Sequence, residues 1–519
     1  MHVVQIVVFL LLCAVALGWL SRRIGIPYPI ALVLGGGALG LIPGLPQLHF
    51  DPQLLLVLVL PPILYQAALL TSWRDFSANL RPIGLLAVGL VIATTVVVGA
   101  TLKLLDPDVP WAAAFVFGAI VSPPDAVAAT AILSRLNMPR RIVTVLEGES
   151  LVNDASGLVL YKVAVAAVLS GAFSILDAGA EFLLIAAGGI AVGLALGWVF
   201  VAVHRHLGDA FTEVLVSLSA PYAAYVLAES LDVSGVLAVV SAGLLRGRHS
   251  PSLVSAEMRI IARSAWNILV FMLNSLIFVL IGTQLSGIVA RLTEYSAREL
   301  VSYSLGISLV AIVVRFACVY PAVYGPWLLS ARRRGSGSAP RPGEAFIMGW
   351  SGMRGIVSLA AALALPVSLP GGGAFPFRDL IVFLTFVVIA ATLVLQGLTL
   401  APLIRWLKVG SDPGPQEEHR RARLAMGRAA LDAIDDEARA QDVSGELAAR
   451  VRAEFADRMA TASPQAAEPK SEFAFARGLR LAAVRAERTE LIRLWREGEI
   501  SDDVLHELEE QLDYEESRL

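Results

Sequence analysis

Apolar stretches separated by short polar ones run from residue 3 to residue 407 of this 519-residue chain. About 20 helical residues cross the ~30 Å hydrocarbon core of a bilayer. Thirteen stretches meet or approach that length: 3–20, 28–43, 52–72, 82–105, 110–134, 141–170, 178–206, 211–230, 233–247, 258–283, 298–328, 344–369 and 378–407. The pattern predicts an all-α polytopic membrane body with lipid-facing spans. The fifth and twelfth stretches carry breakers in their middles: Ser122-Pro123-Pro124-Asp125, and Gly349-Trp350-Ser351-Gly352-Met353-Arg354-Gly355. A mid-helix proline removes a donor and frees carbonyls of the preceding turn. At membrane depth such groups are tolerated only against protein or a water-filled cavity, where they can ligate a cation. Thirteen spans divide as six, one and six, so an inverted repeat would pair the fifth with the twelfth. Interrupted spans at matching positions of two halves point to a substrate site near the midplane.

Beyond residue 410 the pattern changes. Ser411-Asp412-Pro413-Gly414-Pro415 is a breaker, and Leu447, Val451, Phe455 and Met459 then recur every four residues, as an amphipathic helix requires. Leu491, Ile492 and Trp495 continue the pattern, and Ser501 reads as an N-cap before Val504, Leu508 and Leu512. Two parts are expected: a membrane domain over 1–410, comprising a core and a dimerisation domain, and a cytosolic helical tail over 411–519 serving regulation or oligomerisation.

Charge follows the same division. Residues 1–410 hold 25 Lys+Arg against 19 Asp+Glu, and residues 411–519 hold 16 against 25. With the N-terminus outside, inner loops carry sixteen basic residues, among them Arg22, Arg23, Arg140, Arg141 and Arg332–Arg334. Outer loops carry only Lys103, Arg291, Arg298 and Arg378. This positive-inside bias predicts an outer N-terminus and a cytoplasmic tail. The first apolar run lacks a preceding charge and is followed by Arg22-Arg23, so it reads as a retained span rather than a signal peptide. The loop Ser330–Glu344 reads as a flexible connector. Two cysteines, Cys13 and Cys318, support neither a disulfide framework nor a metal cluster. No Walker motif is present, so neither a nucleotide nor a cofactor is expected, and nothing suggests nucleic-acid binding. The basic residues are almost all Arg, as in GC-rich bacterial genomes, and the expected location is a bacterial inner membrane.

Charges inside apolar spans are expensive, so each is a functional candidate. They are Asp125, Glu147, Glu149, Asp154, Lys162, Arg315 and Arg354. The sixth span reads Glu147-Gly148-Glu149-Ser150-Leu151-Val152-Asn153-Asp154. Ser150 and Asp154 fall one turn apart on one face, and Glu149 and Asn153 on its neighbour. A hard cation needs several oxygens to replace its water shell. Asp125, Asp154, the Ser150 hydroxyl and carbonyls freed near Pro124 are the candidate ligands. The competing reading makes each acid the structural partner of a buried base. That reading is preferred for Glu149 with Arg354, and a structural role is preferred for Arg315 and Lys162. Glu147 fits either a funnel residue or a solvated cap.

At these residues the chain resembles the NhaP-like and eukaryotic sodium/proton exchangers of the monovalent cation:proton antiporter-1 family. The resemblance spans nearly all of 1–410. It rests on Leu60-Pro61-Pro62-Ile63-Leu64-Tyr65, the acid Asp125, Glu149-Ser150-Leu151-Val152-Asn153-Asp154 and Arg354-Gly355-Ile356-Val357-Ser358. It implies an ion transporter rather than an enzyme, a homodimer in the bilayer, and a core domain that moves against a dimerisation domain. It further implies that Asp154 is the principal carrier of cation and proton, that Asp125 shares the site with Ser150 assisting, and that Asn153 braces the unwound helices. Glu149 would pair with Arg354. Asn before Asp154 is similar to the electroneutral branch, which implies exchange of one H⁺ for one Na⁺. Two positions depart from the family pattern. Gln66 stands where an acid is usual, and Pro124 where a hydroxyl residue often precedes the acid. These departures leave Na⁺, Li⁺ and K⁺ as candidate substrates, with K⁺/H⁺ exchange the main alternative. Remoter readings are a cation channel, which would need a filter-like loop repeated by symmetry, and an intramembrane aspartyl protease using Asp125 and Asp154, for which no Gly-x-Gly-Asp loop is present.

Overall fold

The computed structural model describes the chain apart from residues 1, 41, 43–51, 126–128, 131, 134–135, 137, 172–174, 254–255, 330–340, 370–372, 410–413, 441–444, 461–469, 498, 500–503, 506–507, 510, 513 and 516–519. The proposed N-cap Ser501 and most of the 330–344 connector lie outside the described residues. Among those described, the chain is helical and contains no strand, only an isolated bridge between Ser368 and Ala374. The chain forms two compact units, Met1–Asp412 and Pro413–Leu519.

The first unit opens with α1 (His2–Ile24), α2 (Tyr28–Gly40), α3 (Pro52–Leu70) and the short α4 (Trp73–Ala78). Next come α5 (Leu80–Leu105), α6 (Trp111–Val121), α7 (Arg140–Ser170), α8 (Ile175–His204), α9 (Ala210–Ser230) and α10 (Gly235–Leu253). It closes with α11 (Ala256–Arg291), α12 (Ala297–Leu329), α13 (Pro342–Trp350), α14 (Ile356–Leu363) and α15 (Arg378–Trp406). Among the described residues, seven helices contain segments long and apolar enough to cross a membrane, and residues Tyr28–Gly40, Val57–Leu70 and Trp111–Val121 form shorter apolar helices. Large apolar side chains lie exposed on α8, α9 and α12, including Leu183, Leu184, Phe211, Leu215, Leu305 and Leu309. In water they would be unfavourable; against lipid tails they are at no disadvantage.

Lipid is as apolar as the helix interiors, so packing relies on close backbone approach at small residues. A Cβ on Gly36 of α2 would fall 2.6 Å from the Val279 carbonyl oxygen of α11. A Cβ on Gly118 of α6 would fall 2.2 Å from the Thr95 carbonyl oxygen of α5. The second contact holds α6 beside α5 just before its chain breaks.

Both expected interruptions are present. Helix α6 stops at Val121, where Ser122 donates to the Ala119 carbonyl (2.9 Å) and Pro123-Pro124 end the amide ladder. Helical geometry returns at residues 129–130 and 132–133. Helix α13 stops at Trp350, and α14 starts at Ile356 after an extended stretch.

The second unit contains α16 (Gly414–Ala440), α17 (Gly445–Ala460) and α18 (Lys470–Arg496). The predicted amphipathic run 447–459 falls within α17. On α16, hydrogen bonds from Arg420 and then Arg421 hold the Glu417 carboxyl down to about 2.

Candidate functional site

The two interruptions cross each other. The Asp125 amide donates to the Met353 carbonyl at 2.7 Å, joining the first break to the second. Gly355 permits this approach, since a Cβ there would lie 1.8 Å from Asp125 Oδ2. Helix α7 passes beside the crossing. Its Asn153 Nδ2 donates to the Pro124 carbonyl at 3.0 Å, which ties the unwound chain to a continuous helix.

Two fully buried arginines complete the centre. Arg354 donates through Nε to the Val121 carbonyl (2.8 Å) and through Nη1 to the Gly352 carbonyl. Arg315 of α12 donates through Nε and Nη2 to the Met348 carbonyl, at 3.2 and 3.1 Å. Carbonyls at a helix C-terminus lack intrahelical donors and form the negative end of its dipole. Each arginine therefore caps one half-helix where it stops inside the membrane. Arg378 plays the same part at the far end of α14, donating to the carbonyls of Leu363 and Leu365.

The expected Glu149–Arg354 ion pair is not formed. Glu149 is bidentate with Arg315, Oε1 to Nη1 at 2.6 Å and Oε2 to Nη2 at 3.1 Å, and both side chains are 1% exposed. The reason is geometric. Arg354 is occupied by backbone carbonyls of its own break and of α6, whereas Gly352 opens space for Arg315. A Cβ on Gly352 would meet Arg315 Cδ at 2.0 Å.

The acids thus separate by environment. Glu149 is fixed by two charge-assisted hydrogen bonds. Asp154 is buried on the same helix, one residue beyond Asn153, with neither a hydrogen bond nor an ion pair among the described residues. It is close enough to Asp125 for the two carboxylates to repel. Ser150 sits one turn before Asp154 on α7, half-buried. Three carboxylates (Asp125, Glu149, Asp154) therefore face two guanidiniums, which leaves one negative charge in excess when all are ionised.

Other sequence candidates lie elsewhere. Gln66 donates to Asn267 Oδ1 of α11 at 3.1 Å. Lys162 pairs with Glu229 of α9 at 2.8 Å, and both side chains are partly exposed. Glu147 is exposed. The sequence reading missed Thr392 and Thr399 of α15, which accept hydrogen bonds from the Arg354 amide (3.1 Å) and Trp350 Nε1 (2.9 Å). Polar residues at 392, 396 and 399 within an apolar span were the available signal. Among the described residues no cluster of His, Cys, Asp and Glu is arranged to hold a metal cofactor.

A multi-helix membrane body with two broken helices crossing beside an unpaired buried carboxylate is the architecture of an ion carrier. The chain belongs to the sodium/hydrogen exchanger family, whose transmembrane region matches residues 7–406. It is 35% identical over 528 aligned residues to an uncharacterized Na⁺/H⁺ exchanger of Mycobacterium bovis, covering 99% of this chain and 96% of that protein. It is 33% identical to a sodium, potassium, lithium and rubidium/H⁺ antiporter of Bacillus subtilis, covering 98% and 77%. The fold matches the sodium proton antiporter MjNhaP1 of Methanocaldococcus jannaschii with a TM-score of 0.63 at 20% identity, over 78% of this chain and 99% of that one. The chain is accordingly a multi-pass membrane antiporter and not an enzyme.

Proposed function

We propose that this antiporter exchanges one H⁺ for one Na⁺, with Li⁺ and K⁺ as further candidates, at Asp154 and Asp125. The observation that carries the reading is the unequal state of the buried acids: Glu149 is held by Arg315, while Asp154 has no partner among the described residues. The Ser150 hydroxyl and the Pro124 carbonyl, already braced by Asn153, complete the proposed oxygen set. One proton or one monovalent cation cancels the single excess charge, so both loaded forms are neutral. The empty form carries a net charge across a medium of low dielectric constant, which is costly. Alternating access then proceeds only when the site is loaded, and the two substrates compete for the same oxygens. Equal charge in both half-cycles makes the exchange electroneutral.

The cation itself is the finer question. The Bacillus subtilis relative is named for four alkali cations, and Gln66 and Pro124 remove ligand charge and a hydroxyl relative to the family pattern. These favour a broad cation range that includes K⁺. The same reading assigns a homodimer in a bacterial inner membrane, with the N-terminus outside and a cytoplasmic regulatory or oligomerisation tail from 411 to 519. It also retains the six-plus-six inverted repeat that pairs the two breaks.

The test is Asp154→Asn in proteoliposomes under an imposed pH gradient, with Na⁺, Li⁺ and K⁺ offered in turn. The wild type is expected to exchange, and the variant to lose cation-dependent proton flux. Undiminished flux through the variant would refute the assignment.

A further inference from the structure

Helix α15 presents Thr392, Gln396 and Thr399 on one face, since offsets of four and seven residues return to nearly the same angle at 100° per residue. Both threonines are engaged with the second break: Thr392 Oγ1 accepts from the Arg354 amide and Thr399 Oγ1 from Trp350 Nε1. Gln396 lies between them on that face, one turn from Thr392. At Gly397 the helix lies against the second break, because a Cβ there would sit 3.6 Å from Met353 Sδ.

Gln396 is fully buried, yet neither its Oε1 nor its Nε2 has a partner. The amides of Gly352 and Met353 likewise make no hydrogen bond among the described residues. A buried primary amide and two backbone donors are thus left unpaired where α15 packs against the second break. At the first break Asn153 Nδ2 is bound to the Pro124 carbonyl, although its Oδ1 has no partner. A fully buried amide left unpaired is unfavourable, and apolar side chains of the same volume would fill the site better.

We infer that Gln396 is a positioning residue for exchange: its side-chain oxygen binds the Gly352 and Met353 amides in the other access state of the carrier. The break then has two hydrogen-bonding states. In the one described, Thr392 and Thr399 hold its two ends and Gln396 is disengaged. In the other, Gln396 secures the middle of the break while Asp125, tied to Met353, shifts with it. This rests on the alternating-access reading above.

The test compares wild type, Gln396→Met and Gln396→Asn as purified full-length protein, by thermal melting and by exchange in proteoliposomes. Replacing an unpaired buried amide by an apolar isostere leaves the melting temperature unchanged or raised. The maximal exchange rate of Gln396→Met falls by about tenfold or more, while the apparent KM for the cation changes by less than about threefold. Gln396→Asn, which keeps the amide, recovers part of the rate. Full rate in Gln396→Met overturns the inference. So does a large loss of melting temperature in that variant, because the amide would then already be engaged in the described state. Equal slowing in both variants also overturns it. A wild type that exchanges no cation for protons fails the functional reading instead, and the two failures are separable.

Discussion

Glu149 and Asp154 are two carboxylates on one helix, five residues apart, with opposite fates. Glu149 accepts both arms of Arg315 in a site closed to solvent, so removing it leaves a buried guanidinium without its counter-charge. Breaking a buried pair from one side costs about 3–5 kcal/mol. Glu149→Ala is therefore expected to fail by instability, visible as a lowered melting temperature and poor yield. The double variant Glu149→Met/Arg315→Leu removes both charges and is expected to regain part of that stability. A stable, inactive Glu149→Ala protein would contradict the structural role. The identity of the base was not legible in the sequence. Arg315 and Arg354 both lie in apolar spans, and only the space at Gly352 and the carbonyls around Arg354 decide between them.

At the scale of elements, the proposed site is a pair of half-helices whose ends meet inside the protein. Their C-terminal carbonyls need cationic donors, and Arg354 and Arg315 supply them at Val121 and Met348. The crossing itself depends on Gly355, where any Cβ would collide with the Asp125 carboxylate at 1.8 Å. Gly355→Ala must displace either the break or Asp125. The expected cost is about 1–3 kcal/mol, as in overpacked cores, together with loss of exchange, read by melting and by proteoliposome flux. Wild-type flux in this variant would show that Asp125 is not held against the break. The position of both breaks was legible, because proline and glycine end helices by local sterics. Which atoms fill the gaps was not, since those partners come from α7, α12 and α15.

For the whole molecule, charge is the organising quantity. The site holds one more acid than base, so in the proposed cycle H⁺ and the cation act as alternatives. Lowering the pH should raise the apparent KM for the cation, approaching roughly tenfold per pH unit once the site is mostly protonated. The maximal rate under saturating cation should change much less. Flux measured across a pH series at several cation concentrations checks this, and a KM independent of pH would argue against shared oxygens. An electroneutral cycle also predicts that clamping the membrane potential with a K⁺ ionophore leaves Na⁺/H⁺ exchange unchanged, whereas acceleration would indicate net charge movement.

Apolar run lengths, mid-span breakers and the isolated intramembrane charges are local properties of the chain. From them the membrane class, the two interrupted helices and the residues Asp125, Glu149, Asn153, Asp154 and Arg354 could be read directly. Tertiary structure alone decided how those charges are shared. Pairing depends on distances between helices far apart in sequence, such as Glu149 with Arg315 and Thr392 with the Arg354 amide. It also exposed the unpaired amide of Gln396, which in sequence is one more polar residue in an apolar span. Hydrogen-bond satisfaction is a property of surroundings, and no single stretch of sequence contains it.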